Sequence, residues 1–291
     1  MAVKSLRFSL FFLLLTLNSM VNALESNAGD SKARDSKITV AVASNFLSTM
    51  KQLVNTYQNA TGRVVHLSGG STGKHYAQIL HGAPFDLFFA ADELRPKLLE
   101  DKNIGIQDSR FTYAQGALVV WSPEIPKSTT SKLPLLDKKL LLALITSNRV
   151  KTFAMANPKL APYGMAAQDA LEILLPGGMS YLNDQKVRVI KGENISQTFQ
   201  FIMSGSADIA FIAQSQMLSS QAGNEQKQGD KKRSGNYRMI PSALYRPIRQ
   251  QAIRLNKKES ARMFTDFVKS KAAKSIIERN GYTVPGAIDA G

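Results

Sequence analysis

The sequence predicts an α/β protein of two lobes, each a mostly parallel sheet flanked by helices, with a cleft between the lobes. Three observations lead to this prediction. Short apolar segments alternate with longer segments of helical periodicity. The alternation occurs as two successive sets along the chain. At 291 residues the chain is also long enough to rely on an apolar core without disulfides.

The first set begins with a buried strand at Ile38–Ala43, followed by a helix whose apolar spacing runs up to a stop at Gly62. Ligands of parallel α/β sheets bind beyond the carboxyl ends of the strands, and Ser44 and Ser71 both follow strands at that edge. The remaining segments are the strands "RVVHLSG" and "FDLFFAAD" and the helices "GKHYAQILHG" and "ELRPKLLEDKN".

The second set starts from "QGALVVWSP", a strand that leads away from the first lobe. It contains the helices "YGMAAQDALEILLP" and "ISQTFQFIMSGS", the strand "ADIAFIAQSQ", and the segments "LLLALITSN", "KTFAMANP" and "QKVRVIKGEN". Residues 219–236 are rich in Gly, Gln and Lys, which predicts a flexible loop. Strand material in "MIPSALYRPIRQQAIRL" and two helices, "KESARMFTDFVKS" and "KAAKSIIERNG", close the chain.

The N-terminus is typical of a secretory signal peptide. Lys4 and Arg7 precede a short apolar run, and Val21-Asn22-Ala23 precedes the expected cut. The alternative, a membrane anchor, is disfavoured because the run is too short to span a bilayer. We therefore expect an exported chain that is not inserted in the membrane after cleavage. The predicted division is a signal peptide (1–23), an N-terminal tail (24–36), the first part of lobe I (37–115), lobe II (116–244) with the loop 219–236, and a return segment with C-terminal helices that completes lobe I (245–291).

Composition excludes several classes of function. The chain has no cysteine, which removes thiol catalysis and Cys-ligated zinc. Its three histidines lie close together at 66, 75 and 81, and we expect His75 and His81 on a helix surface. The formal net charge of +15 is diffuse and lacks an arginine-aromatic stripe. It therefore predicts an attraction for small anions rather than for nucleic acid.

The stretch "HLSGGSTGKHY", residues 66–76, resembles a phosphate-binding loop at first sight. Such a loop needs glycine five residues before its Gly-Lys pair and a hydroxyl residue after the lysine. Ser68 and His75 occupy those two positions, so the pattern fails. What remains is a strand, a glycine-rich turn and a helix, and the free N–H groups of the first helical turn still form an anion site.

The chain resembles the periplasmic molybdate-binding proteins of ABC importers over about residues 38–284. Six segments in the family's order carry this resemblance: "VAVASNF", "SGGSTGKHYAQILHGAPFDLFFAAD", "SRFTYAQGALVVWSP", "ANPKLAPYGMAAQDAL", "GENISQTFQFIMSGSADIAFIAQSQ" and "LYRPIRQQAIRL". The resemblance implies the two-lobe periplasmic binding protein fold of type II, with the ligand in the interlobe cleft. It also implies a periplasmic location and a membrane permease as partner, and we expect a monomer.

The resemblance also implies the ligand positions. The serine after the first strand matches Ser44, with Asn45 used beside it in some members, and the serine of the glycine-rich turn matches Ser71. Backbone donors match Tyr163 and Ile195. One branch of the family uses a tyrosine after the late strand, where this sequence has Ala213. That departure leaves the fifth contact open, and the Tyr163 hydroxyl is an alternative.

The chemistry of these residues fits a molybdate or tungstate ligand without any cofactor or direct metal ligand. Molybdate is a tetrahedral dianion without a proton at neutral pH, so its site needs only donors: hydroxyls, an amide and helix N-terminal N–H groups. A phosphate site would be expected to add a carboxylate that accepts the phosphate proton. None stands beside Ser44, Ser71 or Tyr163 in the sequence.

Two alternatives remain open. One is a binding protein for another tetrahedral oxyanion, sulfate or phosphate, on the same fold. The other is an exported serine hydrolase, because "GGSTG" formally matches the Gly-x-Ser-x-Gly pattern around Ser71. The sequence offers no base and acid partners for this serine, which favours a protein that is not an enzyme. Asp86 and Asp92 lie at opposite ends of one strand, which predicts a capping or interlobe role rather than a catalytic pair.

Overall fold

The computed structural model describes residues 37–127, 134–224 and 235–286, so the predicted signal peptide and tail lie outside the described residues. The strands are β1 (Lys37–Ala43), β2 (Val64–Gly70), β3 (Leu87–Phe89), β4 (Phe111–Gly116), β5 (Leu118–Ser122), β6 (Thr152–Ala156), β7 (Arg188–Gly192), β8 (Ile209–Ala213), β9 (Asn236–Met239) and β10 (Ile248–Arg254). The helices are α1 (Leu47–Thr61), α2 (Thr72–Leu80), α3 (Leu94–Asp101), α4 (Lys138–Thr146), α5 (Pro162–Leu174), α6 (Met179–Asp184), α7 (Ile195–Met203), α8 (Gln214–Asn224), α9 (Glu259–Lys269) and α10 (Lys271–Arg279). Short 3₁₀ turns occupy Ser44–Phe46 and Ser242–Leu244.

The first sheet has the strand order β2-β1-β3-β10-β4. β1 is parallel to β2 and β3, whereas β10 is antiparallel to β3 and β4. The register pairs Ala43 with Gly70, the last residues of β1 and β2. The residues that follow these strands, Ser44 and Ser71, therefore emerge side by side at one edge of the sheet.

The second sheet repeats this plan with the order β7-β6-β8-β5-β9. β6 is parallel to β7 and β8, and β5 is antiparallel to β8 and β9. Ala156 pairs with Gly192, so the carboxyl ends of β6 and β7 also meet at one edge. The turns that lead to α5 and α7 start from this edge.

Both sheets are buried on both faces, which explains the apolar runs in the sequence. In β1, Val40 and Val42 face a core that includes Phe264 of α9, while Ala41 faces a second core with Ile79 of α2. In the second sheet, successive residues of β6 likewise belong to cores on opposite faces. The predicted fold class, two mostly parallel sheets flanked by helices, is confirmed.

The chain passes between the sheets at two places. β4 and β5 belong to different sheets and are separated by Ala117 alone, and the chain returns between β9 and β10. The segment "QGALVVWSP", predicted as one strand, is therefore divided at Ala117. The sequence did not predict β4 as a separate strand. The lobe boundaries at 115/116 and 244/245 stay a prediction.

The predicted loop at 219–236 is wrong at both ends. Helix α8 continues through Asn224, and β9 begins at Asn236. Residues 225–234, the middle of the predicted loop, lie outside the described residues. Among the helices that the structure describes, none has both the length and the apolar character needed to cross a bilayer.

Candidate functional site

Four chain turns, two from each sheet, converge on one small cavity. All five residues predicted from the sequence line it: Ser44, Asn45, Ser71, Tyr163 and Ile195. The space between them measures about 10 Å³, roughly the room of a single water-sized sphere. The structure thus brings together residues that lie up to 151 positions apart in the sequence.

The Ser71 turn combines capping with a free hydroxyl proton. Ser71 is buried, and its Oγ accepts a hydrogen bond from Lys74 N at 3.2 Å, which makes it the N-cap of α2. Accepting this bond leaves the hydroxyl proton available for an anion. Thr72 Oγ1 accepts a bond from Ala91 N at 3.0 Å and fixes the start of the helix against β3.

The turn before α7 works differently, because a neighbouring residue caps the helix. Asn194 Oδ1 accepts hydrogen bonds from Ser196 N and Gln197 N, each at 3.0 Å. Ile195 is the first residue of the helix, where an N–H has no intrahelical partner. Its side chain is buried in the core, so the backbone N–H is the part of Ile195 that can serve an anion.

Helix α5 presents a third set of backbone donors. It begins with Pro162, which has no N–H, so Tyr163 carries the first N–H of the helix. The Tyr163 ring is fully buried, and burial, together with neighbouring tyrosines, raises the pKa of Tyr163 well above its ordinary value. The hydroxyl therefore stays protonated at any physiological pH.

The Tyr163 hydroxyl lies beside the crossing between the sheets. A Cβ atom at Gly116 would lie only 2.0 Å from Tyr163 Oη, so this position requires glycine. Within the described chain Tyr163 Oη has no hydrogen-bond partner, and Gly116 does not line the cavity. This placement favours the Tyr163 N–H over its hydroxyl as the contact to an anion.

Asn45 has no free side-chain donor in this arrangement. Its Nδ2 donates to Gln250 Oε1 at 2.9 Å and to Tyr282 Oη at 3.2 Å. A carboxamide nitrogen carries two protons, and both are used. Of the Asn45 donors, this leaves the backbone N–H, and not the side-chain amide predicted from the sequence, as the group that could serve an anion. Gln250 and Tyr282 are distant in sequence and could not have been found from any local pattern.

No carboxylate lines the cavity. Two acidic residues adjoin lining residues in the sequence, Glu193 and Asp92. Glu193 forms an exposed ion pair with Lys74, with Nζ and Oε2 2.6 Å apart. Asp92 accepts from Arg95 N and pairs with its guanidinium, whereas Asp86 accepts from Thr39 N at 2.7 Å. The two aspartates thus have structural partners, as predicted. The described residues contain no cluster of three or more His, Asp or Glu that could hold a metal ion.

Direct contacts join the two halves around the cavity. Gly73 N donates to Leu160 O at 2.9 Å, and the Lys74–Glu193 pair lies beside it. Ser196 Oγ donates to Ser44 O at 3.1 Å. These bonds connect turns of the first sheet to turns of the second and enclose the cavity.

The arrangement does not provide a catalytic serine. His75 is buried rather than on the helix surface, which corrects the prediction, because its ring packs against Phe85 and Phe88. Its Nδ1 lies 3.1 Å from Gln78 Oε1. Burial lowers the pKa of His75. In the described ranges no histidine is hydrogen-bonded to Ser44 or Ser71, so the serine–histidine pair of a typical hydrolase is not formed there.

Ala213, where the sequence was expected to depart from one branch of the family, ends β8 and is buried. Two positions later, Ser215 makes a contact with the Ser44–Asn45 turn that the sequence did not predict. Its Oγ donates to Asn45 O at 3.3 Å, and it lies 2.9 Å from Tyr282 Oη.

Comparisons with known proteins agree with this geometry. The family model "Bacterial extracellular solute-binding protein" matches residues 38–283. A molybdate-binding protein of Azotobacter vinelandii is 35% identical over 270 residues, covering 92% of this chain and 98% of the relative. A molybdate-binding protein of Rhodobacter capsulatus is 32% identical over 84% of this chain and 88% of the relative. The solved periplasmic molybdate-binding protein of A. vinelandii superposes with a TM-score of 0.71 at 34% identity, covering 85% of this chain and 99% of that chain.

Proposed function

The chain belongs to the bacterial extracellular solute-binding proteins, and from that premise we propose that it captures molybdate for import by an ABC transporter. The molybdate-binding relatives match it over nearly their whole length. Its role is to bind the anion in the periplasm and deliver it to a membrane permease. The protein acts as a carrier and not as an enzyme.

The observation that carries this proposal is the convergence of donors without a carboxylate. Ser44 and Ser71 offer hydroxyls, while Asn45, Tyr163 and Ile195 offer backbone N–H groups around one cavity. Helix N-termini stabilise an anion through their unpaired N–H groups and the helix dipole. Such a site suits a dianion that is fully deprotonated, because nothing in it has to accept a proton.

Tungstate is proposed to bind in the same way as molybdate. The two anions have the same charge, the same tetrahedral shape and nearly the same size. Hydrogen-bond donors that respond only to the charge and shape of the anion discriminate poorly between molybdate and tungstate. No cofactor is needed for this capture, and no protein side chain binds the metal directly, since the anion presents only oxygens to the protein.

Closure of two lobes over the anion is part of the proposed mechanism. A ligand that contacts both halves only in the closed form shifts the equilibrium towards that form. The closed protein is then recognised by the permease. We further propose that the first 23 residues are a signal peptide, that the mature protein is a monomer, and that it has no nucleic-acid partner.

A binding protein for another oxyanion is the second candidate. Phosphate keeps a proton near neutral pH, and the cavity lining offers no carboxylate to accept it. Sulfate has no proton, so the donor set alone does not discriminate against it. Its smaller size is the property that distinguishes sulfate from molybdate, and the test therefore includes sulfate.

The test is a calorimetric titration of the mature protein with molybdate, tungstate, sulfate and phosphate at one ionic strength. We expect molybdate and tungstate to bind at least about a hundredfold more tightly than the other two, a difference of about 2.7 kcal/mol. Equal or tighter binding of sulfate or phosphate would contradict the proposal. A parallel assay with generic esters should show no hydrolysis, and turnover lost in Ser71→Ala would favour the hydrolase.

A further inference from the structure

The turn that follows β1 is held by hydroxyl groups of the other sheet. Ser196 Oγ donates to Ser44 O at 3.1 Å, and Ser215 Oγ donates to Asn45 O at 3.3 Å. Ser196 lies in the first turn of α7 and Ser215 in the first turn of α8, both in the second half of the fold. Two successive carbonyl groups of the anion-binding turn are therefore tied to the opposite half.

We propose that Ser196 and Ser215 are positioning residues that orient the donors of the Ser44–Asn45 turn only when the two halves are closed. This inference rests on the proposed function, because it concerns how the same cavity gains its affinity. Neither serine has to touch the anion. Each acts on the peptide groups of the turn.

The geometry of the peptide bond connects the Ser44 carbonyl to the anion. In a trans peptide the C=O and the following N–H point in opposite directions, and the described chain contains no cis peptide. The carbonyl of Ser44 and the N–H of Asn45 belong to one peptide group. When Ser196 holds Ser44 O, the orientation of the Asn45 N–H is therefore fixed as well.

The hydrogen bond of Ser196 has a defined direction. Gln216 Nε2 donates to Ser196 Oγ at 2.9 Å, so the serine proton is left to point at Ser44 O. The chain of hydrogen bonds thus runs from Gln216 of α8 through Ser196 of α7 to the carbonyl of Ser44. Gln216 belongs to the same helix as Ser215, and α8 thus supports both carbonyl contacts.

Tyr282 completes the support at Asn45. Its Oη donates to Asn45 O at 2.8 Å and lies 2.9 Å from Ser215 Oγ, while its ring packs edge-on against Phe46 at 5.2 Å. Tyr282 and Asn45 both belong to the half built on the first sheet, so their bond does not need closure. Ser215 adds a second hydroxyl from the other half to a carbonyl that Tyr282 already holds. Ser44 O likewise accepts a hydrogen bond from Leu47 N within its own turn. The larger effect of closure is expected at Ser196, because the peptide group of Ser44 O carries the Asn45 N–H, the proposed donor at the cavity.

This arrangement predicts a specific kinetic signature. Before closure the two serines are away from the turn, so encounter with the anion should not depend on them. After closure they hold the donors on the anion, so their loss should accelerate dissociation. An effect confined to koff is what distinguishes orientation in the closed form from steering of the encounter.

The experiment measures kon, koff and Kd for molybdate with Ser196→Ala, Ser215→Ala and the double variant. A hydrogen bond between neutral groups corresponds to roughly a three- to tenfold change in affinity. We expect a loss of that size for Ser196→Ala, a smaller one for Ser215→Ala, and about the product of the two for the double variant. The rise in koff should account for each loss, and Ser196→Thr, which keeps the hydroxyl, should recover most of the affinity.

The matched control is Ser219→Ala. Ser219 lies on α8 and its Oγ is 3.5 Å from Ser48 Oγ across the same cleft, but it contacts no carbonyl of the anion-binding turn. Its Kd should stay within twofold of wild type. The melting temperature of the ligand-free protein should be unchanged in all variants, since the open form lacks these bonds.

Three outcomes of the binding measurements would overturn the inference. They are a double variant within twofold of wild type, a Ser219→Ala loss as large as that of Ser196→Ala, or a loss that arises in kon. A fall in ligand-free melting temperature without rescue by Ser196→Thr would indicate a structural role and would also overturn it. If the wild type binds none of the four oxyanions, the proposed function itself fails, and that result is seen before any variant is made.

Discussion

The turns before α2 and α7 both present a helix N-terminus to the cavity. They differ in whether one residue both caps the helix and contacts the anion, or two residues share these roles. In the first, Ser71 caps its own helix and is also the proposed ligand. In the second, Asn194 caps the helix and Ile195 is the proposed ligand through its backbone. The first turn therefore depends on a side chain at the ligand position, and the second depends on the side chain before it.

This difference shows how mutational sensitivity can be separated from ligand contact. A backbone N–H donor is present whatever the side chain, so substitution of its residue should leave binding intact. Substitution of the residue whose side chain orients that N–H should weaken binding. The comparison also explains why one turn has serine at its ligand position while the other accommodates an apolar residue that packs into the core.

The largest effect is expected for Ser71→Ala. This change removes both the N-cap of α2 and the hydroxyl proposed to donate to the anion. A hydrogen bond to a charged group contributes about 1.5–3 kcal/mol, so molybdate affinity should fall roughly ten- to a hundredfold by calorimetry. Urea denaturation of the ligand-free variant separates the cap contribution, about 1 kcal/mol, from the loss of binding. A loss of affinity below threefold would show that the hydroxyl is not a ligand.

An intermediate effect is expected for Asn194→Ala. Without Oδ1, the N–H groups of Ser196 and Gln197 lose their partner and the first turn of α7 loosens. Stability should fall by about 1 kcal/mol and affinity by about fivefold, since Ile195 N–H is then less well oriented. Ile195→Val is the matched control. It should leave the Kd within twofold while it costs about 0.5–1.5 kcal/mol of stability through lost packing. If Ile195→Val weakened binding more than Asn194→Ala, the two roles would be reversed.

The smallest effect is expected for Lys74→Ala, although Lys74 lies closest to the pattern of a phosphate-binding loop. Its ammonium is paired with Glu193, and both side chains are about half exposed. Exposed ion pairs contribute about 0–1 kcal/mol, so affinity should fall less than about fivefold. Glu193→Gln should behave alike, and both differences should shrink in about 1 M salt, where the Debye length is about 3 Å. A loss larger than that of Ser71→Ala would mean that the lysine binds the anion directly.

Local patterns in the sequence were sufficient for most elements and for two of the five candidate positions, Ser44 and Ser71. The apolar run of β1 and the helical spacing of α1 identified both elements, and Gly62 ends the helix at φ 68° as its position predicted. The turns with Ser44 and Ser71 were found because a strand followed by a helix start is a signal within ten residues. Resemblance to a family then added Asn45, Tyr163 and Ile195 and indicated which turns act together.

The sequence by itself thus determined the fold class, the absence of cysteine and the five candidate positions that line the cavity. Only the tertiary structure decided that His75 is buried, that Asn45 spends its amide protons on Gln250 and Tyr282, and that Ser196 and Ser215 hold the Ser44–Asn45 turn. The physical reason is separation along the chain. Ser196 lies 152 residues from Ser44 and Tyr282 lies 237 residues from Asn45. Periodicity and capping act over a few residues, whereas these hydrogen bonds exist only after the two sheets have packed against each other.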